Sequence, residues 1–381
     1  MTRDNKLLVL ALFLWGAGEG LFIYIQPLYL EQLGADPVAI GAALSLAGVA
    51  AAASHIPAGW LADHLGRRGV MVTGWGLGAL ACLLMYLTTN LWLFVAASVA
   101  YAFTLFVVGP LSAYAAEARG TQTAQRAMTQ AYGGFWAGTI FSPALGGWIG
   151  GAFGVRTVFG LAAGVLLLAT LIVLLLRPQA VAPVKAGQTR YGSLFRNRPY
   201  LQMLGLAFVC IVALYLGLPL MPNFMQEVRG YDLQFIGWLG TINSIGGMLV
   251  NILLGQSEPR RGFLLGQIFV GVGMMLVLAS GHFVAVSVAY FLRAGWNLVH
   301  SMSIAQVNRL VAPAETGLAF GVMETAISAG QIMAPLLAGQ LYAVSPALPF
   351  QTCLGLVAVT LLLAWRVLQT APVTTLQLDV D

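Results

Sequence analysis

The sequence predicts an all-α membrane protein with twelve transmembrane helices in two pseudo-symmetric six-helix bundles. Three observations lead there. The 381 residues are 59% hydrophobic and only 8% charged, with a mean hydropathy of +0.85. Soluble domains carry about a quarter charged residues, so most of this chain is suited to lipid. Runs of about twenty apolar residues, the length that crosses a bilayer as a helix, recur twelve times. Finally, special residues of the first half reappear in register in the second.

The first six spans fall near 7–30, 37–62, 69–88, 91–116, 125–151 and 155–177. The first opens with Arg3 and Lys6 ahead of a short apolar core, like a signal peptide. Its apolar run continues past Gly16 to Leu30 without a small-x-small cleavage site, so it reads as a retained helix. The second six fall near 199–224, 233–255, 262–280, 283–308, 315–343 and 346–368. Arg67, Arg68, Arg119, Arg126, Arg177 to Arg198, Arg260, Arg261 and Arg309 all lie in loops on one side. Positive loops stay in the cytoplasm, which predicts cytoplasmic termini and a multi-pass protein of the cell (inner) membrane.

Residues 178–198, rich in Pro, Lys and Arg, read as a cytoplasmic linker, with a weak amphipathic signal from Tyr191 to Phe195. That divides the chain into an N-terminal bundle, 1–177, and a C-terminal bundle with a short tail, 199–381. The repeats agree. Ile40-Gly41 aligns with Ile236-Gly237 and Gly59 with Gly255, at an offset of 196. Gly138, Pro143 and Gly147 align with Gly330, Pro335 and Gly339 at an offset of 192. Parallel six-helix repeats put a binding site between the halves near the midplane.

Between the second and third spans stands Gly59-Trp60-Leu61-Ala62-Asp63-His64-Leu65-Gly66-Arg67-Arg68-Gly69. Its glycines suit a tight turn, and its arginines suit a cytoplasmic loop. The stretch resembles the signature loop of the major facilitator superfamily, matching at Gly59, Leu61, Ala62, Asp63, Gly66, Arg67 and Arg68. It departs at His64, where the family is usually basic. The resemblance implies alternating access between two bundles and a cytoplasmic latch made by Asp63, Arg67, Arg68 and the acidic Glu117. In the fifth span, Gly138-Thr-Ile-Phe-Ser142-Pro143-Ala-Leu-Gly146-Gly147 resembles the family's helix-five motif, with Ser142 replacing a glycine. That motif is commoner among the family's exporters. The span from Leu91 to Ala116 lacks the helix-four arginine that many of its proton-coupled exporters carry.

Ionisable residues at bilayer depth are costly unless they meet water or a partner. Glu19 lies about a dozen residues into the first span, which at 1.5 Å per residue is near the midplane. Gly16, Gly18 and Gly20 around it suggest room for solvent or ligand. Arg293 and Glu324 reach mid-depth in spans ten and eleven. The resemblance implies that spans one, four, seven and ten line the cavity, facing Glu19 and Arg293 into it. Glu19 is then expected to take a proton or recognise a cation, Glu324 to second it, and Arg293 to act as counter-ion or anion clamp. The competing structural reading is a static buried Glu–Arg pair. Trp15, Tyr24, Gln26, Tyr101, Tyr215, Asn243, Trp296, Asn297 and Gln331 lie at depths compatible with a substrate cavity, mixing aromatic walls with polar groups. His55 and His300 read as helix-end partners.

There is no phosphate-binding glycine loop and no metal-spaced His/Cys/carboxylate cluster, so neither enzyme, cofactor nor metal site is expected. Cys82, Cys210 and Cys353 fall inside apolar runs and read as packing residues. The pI of 9.2 arises from loop arginines, which points to lipid headgroups rather than nucleic acid. The expectation is a monomeric secondary transporter that exports small organic, partly hydrophobic molecules against protons. An importer or facilitator of a polar metabolite, such as a sugar or organic anion, is the alternative. A receptor or scaffold would need a signalling domain or tail beyond the segment from Gln369 to Asp381.

Overall fold

The computed structural model describes residues 1–179, 194, 196–311 and 315–370, without the side chains of 56–65, 369 and 370. Most of the expected linker, including Tyr191 to Phe195 apart from Leu194, and the tail beyond residue 370 lie outside the described residues.

Short polar stops set the helix starts. Thr2, Asp36, Asn90, Thr123, Asn197 and Asp232 each accept a backbone N–H from the first turn of the helix they precede. The helices that follow the first five are α1 (Arg3–Phe22), α3 (Pro37–Leu87), α4 (Leu91–Phe103), α6 (Ala124–Phe153) and α8 (Arg198–Leu216). A short α2 (Gln26–Gln32) separates α1 from α3. A 3-10 turn (Thr104–Val107) joins α4 to α5 (Val108–Glu117), and α7 (Val155–Val173) follows α6. The second half continues with α9 (Met221–Glu227), α10 (Leu233–Leu254), α11 (Pro259–Ala279), α12 (Phe283–Arg293), α13 (Gly295–Leu310), α14 (Thr316–Val344) and α15 (Leu348–Thr370). Among the described residues no strand occurs.

Among the described residues, ten helical segments are long and apolar enough to cross a membrane. The expected fifth and tenth spans fall outside that set for different reasons. The fifth, α6, is a 30-residue helix, but Thr139, Ser142, Pro143 and its many glycines dilute the hydropathy of even its most apolar stretch. The tenth is broken at Ala294 into pieces of 11 and 16 residues, each too short to cross alone. Leu161, Leu167, Leu168 and Leu171 of α7 point outward, as a helix facing lipid requires.

The chain forms two compact units. Unit 1 comprises Met1–Val184, Pro219–Ile245 and Pro335–Pro346; unit 2 comprises Lys185–Leu218, Gly246–Ala334 and Ala347–Asp381. In unit 1, α1 lies against α6 and α7, while α3 packs on α4 and α7. Phe22, Tyr29, Phe94 and Phe159 form its aromatic core, with ring centroids 5.1 to 5.4 Å apart. Each such pair adds about 0.5–1.5 kcal/mol beyond its buried area.

The repeats found in the sequence meet one another inside unit 1. A side chain at Gly41 of α3 would strike the Pro335 carbonyl and Gly339 of α14. In the equivalent crossing, Gly147 of α6 faces Leu233 and Gly237 of α10, and Gly237 faces the Pro143 carbonyl. Backbones can approach this closely only where both helices present glycine. Pro143 also loosens its helix: the Ala144 N–H donates to Thr241 Oγ1 on α10 at 3.3 Å.

In unit 2, α11 packs on α12, α13 and α15, and α8 packs on α13 and α15. Its interior holds a satisfied polar group: Thr360 Oγ1 donates to Gln267 Oε1 at 2.8 Å, with Cys210 Sγ 3.7 Å from the same oxygen. All three cysteines are free and buried.

Candidate functional site

Glu19 sits on the second half of α1, half-buried, in a wall of aromatic rings. Trp15, one turn earlier, stacks on Trp75 of α3 at 4.7 Å and on Tyr101 of α4 at 6.1 Å. Tyr101 OH donates to the Glu19 carboxylate at 3.2 Å, beside the Trp15 indole. Phe22 meets Tyr101 edge-on at 5.3 Å. A neutral donor holds this carboxylate in place without supplying an opposite charge.

The glycines beside Glu19 do not open space. Gly16 lies against the Phe135 backbone, Gly18 against Leu166 and Gly20 against Ser142. The expected room for solvent is filled by α6 and α7. The helix-five motif is the other side of this packing: Gly138 abuts Phe13 and Ala17, and Gly146 abuts the Leu21 carbonyl. Ser142 Oγ donates to the Gly138 carbonyl at 2.9 Å, so its hydroxyl is satisfied within its own helix.

Of the other expected cavity residues in unit 1, Asn243 Nδ2 donates to Tyr24 OH at 2.8 Å, and Gln26 Nε2 donates to Ser98 Oγ at 3.1 Å. In unit 2, Tyr215 meets Trp296 edge-on at 5.5 Å, and Trp296 stacks on His300 at 6.3 Å. His300 Nε2 lies 3.1 Å from the Glu324 carboxylate. Asn297 stands beside Gly247, and Gln331 is half-buried. Arg293 ends α12 at the Ala294 break, its guanidinium 5.2 Å from the Tyr290 ring centroid. Glu19 belongs to unit 1, and Arg293 and Glu324 to unit 2.

The sequence reading missed two partnerships. His300 is not a helix-end partner: it lies within α13, paired with the carboxylate expected to act in α14. The signal was present, since both lie about ten residues from the same ends of adjacent spans. The second is that of Glu31 with Asn223, one turn from Glu227. In the loop motif, Gly66 turns with φ +68° and breaks α3, replacing the expected tight turn with helix on both sides. Arg67 pairs with Glu117 and also donates to Gln179 Oε1 at 3.1 Å, while Arg68 donates to the Leu174 carbonyl. The side chain expected at Asp63, and Gly59, lie outside the described side chains.

The sequence profile of the Major Facilitator Superfamily matches residues 8–257 and 206–378. The chain belongs to this family. It is a multi-pass membrane transporter of small molecules and not an enzyme. It is 27% identical over 281 residues to the multidrug resistance protein MdtG of Citrobacter koseri, covering 68% of this chain and 67% of that protein. It is 26% identical over 283 residues to the multi-drug resistance efflux pump PmrA of Streptococcus pneumoniae, covering 72% and 69%. Among solved structures it resembles a variant of the nucleoside transporter NupG (TM-score 0.83, 15% identity, 96% of this chain and 99% of that one). It also resembles a variant of the peptide transporter POT (TM-score 0.79, 15% identity, 98% and 95%). At such identities the two structures share the fold alone with this chain.

Proposed function

We propose that this transporter exports small organic, partly hydrophobic molecules in exchange for protons, with Glu19 as the group that binds either proton or cationic substrate. The observation that carries this reading is the Glu19 carboxylate held by the neutral Tyr101 hydroxyl in a ring of Trp15, Trp75, Phe22 and Tyr101. Aromatic faces attract organic cations, and an uncompensated carboxylate at mid-span favours any species that cancels its charge. The names of the relatives, multidrug resistance protein and efflux pump, support the same direction and substrate class.

In this reading the halves 1–177 and 199–381 move as two bundles about the linker, in the inner membrane with both termini in the cytoplasm. The protein works as a monomer. Arg67, Arg68, Glu117 and Asp63 latch the cytoplasmic side. Trp15, Tyr24, Gln26, Tyr101, Tyr215, Asn243, Trp296, Asn297 and Gln331 contribute contacts to substrate, and Arg293 and Glu324 take part in charge recognition. Gly138, Pro143, Gly146 and Gly147 provide the close helix approach on which the motion turns.

The test is ethidium movement in proteoliposomes under an imposed pH gradient. Wild-type protein moves the dye opposite to the flow of protons down the gradient, whereas Glu19→Gln reduces movement to that of protein-free liposomes while eluting as folded protein. Gradient-driven movement surviving in Glu19→Gln contradicts the reading. The position of Arg293 at the break in span ten favours a second reading, import or facilitation of an anionic polar metabolite. Transport indifferent to the gradient but lost in Arg293→Ala selects it.

A further inference from the structure

Glu31 lies on α2 and Glu227 closes α9, both within unit 1. Asn223 Nδ2 donates to Glu31 at 2.6 Å, and Tyr342 OH, from α14, donates to Glu227 at 2.9 Å. Asn223 stands one helical turn before Glu227, so its bond to Glu31 sets the two carboxyl groups beside each other. Ionised carboxylates are acceptors only, so the two can bond to each other only when one of them carries a proton.

The pairing follows from the internal repeat. Glu31 and Glu227, Gly34 and Gly230, and Asp36 and Asp232 all stand at the offset of 196 that relates Gly41 to Gly237. Gly34 and Gly230 both turn at positive φ, +93° and +71°. Asp36 and Asp232 both cap the next helix, at 2.7 and 2.8 Å. Equivalent segments thus bring equivalent carboxylates face to face, beside the Gly41–Gly339 and Gly147–Gly237 crossings of the same unit. Asn223 from α9 and Tyr342 from α14 face the pair and donate to it. Nearby, Asp36 and Asp232 are engaged as caps, and the Arg229 guanidinium lies 5.5 Å from the Phe224 ring centroid. Glu227 is exposed, so water can deliver and remove a proton.

We propose that Glu31 and Glu227 form a proton-binding site that fastens α2, α9 and α14 together. With one proton shared, the carboxyls bond and the two glycine crossings stay closed. Once that proton leaves to water, two adjacent anions repel and α2 and α9 part. The closure therefore tightens as the pH on that side falls. The inference goes beyond the export reading, because it needs neither Glu19 nor a substrate.

The experiment is a pulsed electron-spin distance between labels at Gln32→Cys, on α2, and Val228→Cys, immediately after α9, both exposed. It uses the full chain in lipid nanodiscs, with Cys82, Cys210 and Cys353 replaced by alanine and no substrate present. At pH 5 a single short distance is expected; at pH 8 the distribution shifts to a longer component. Glu227→Gln, whose amide can donate to Glu31 without a proton, keeps the short distance at both pH values, and Glu31→Gln does the same. A distribution that ignores pH in the wild-type background, or a pH response unchanged in both glutamine variants, overturns the proposal. The same pH response in Glu19→Gln, measured beside its transport, separates failure of this site from failure of the export reading.

Discussion

Glu19 and Glu324 both bring a carboxylate to the middle of a span, and their surroundings solve the cost in opposite ways. Glu19 is half-buried, gripped by the neutral Tyr101 hydroxyl beside Trp15, on a helix locked by glycines against α6. Glu324 is exposed on α14 and pairs with His300, itself partly open at 32% side-chain exposure. The first arrangement is rigid and leaves the charge unanswered; the second is loose and answers it with an imidazole. A group meant to exchange one positive species for another needs the first kind of site. The second suits a group that assists by shifting contacts as the protein moves.

If rigidity around Glu19 is what matters, the largest effect comes from its packing rather than from its donors. Gly146→Leu drives a side chain into the Leu21 carbonyl of α1. It is expected to destabilise the protein by roughly 1–3 kcal/mol or more, read as a lowered thermal midpoint. An unchanged midpoint would mean that α1 and α6 can part freely. Next is Tyr101→Phe, which removes one donor to Glu19. Hydrogen bonds to charged groups contribute about 1.5–3 kcal/mol, so ethidium affinity is expected to fall roughly tenfold or more by fluorescence titration. No change would show that the carboxylate is not the charge the dye meets. The smallest effect is expected at the other carboxylate. A double-mutant cycle of His300→Gln and Glu324→Gln is expected to give a coupling in stability of about 0–1 kcal/mol, because both groups are open to solvent. A coupling of several kcal/mol would make that pair a buried structural one and erase the contrast.

Much of this arrangement was legible in the sequence. Hydropathy located ten of the twelve expected spans as membrane-length helices among the described residues, and the repeat at Gly41, Gly237, Pro143, Pro335, Gly147 and Gly339 identified residues where helices cross. Glu19 was visible because a carboxylate in a twenty-residue apolar run has few innocent explanations. What the sequence could not give was the third dimension of the small residues. Gly16, Gly18 and Gly20 look like space along one helix, and only the neighbouring helices show that the space is taken. The break at Ala294 was equally hidden, since nothing in the run around Arg293 and Gly295 is a proline. His300 and Glu324 were each noticed singly, but pairing depends on the rotation of α13 against α14, which periodicity does not fix.

The most direct test of Glu19 as an exchange site is proton release on binding. Purified protein in weakly buffered detergent solution near neutral pH is titrated with ethidium while the pH of the solution is followed. Wild-type protein and Glu324→Gln are expected to release protons as the dye binds, and Glu19→Gln to release none. Equal release from Glu19→Gln would contradict the account, because the proton displaced by the cation would then come from another group.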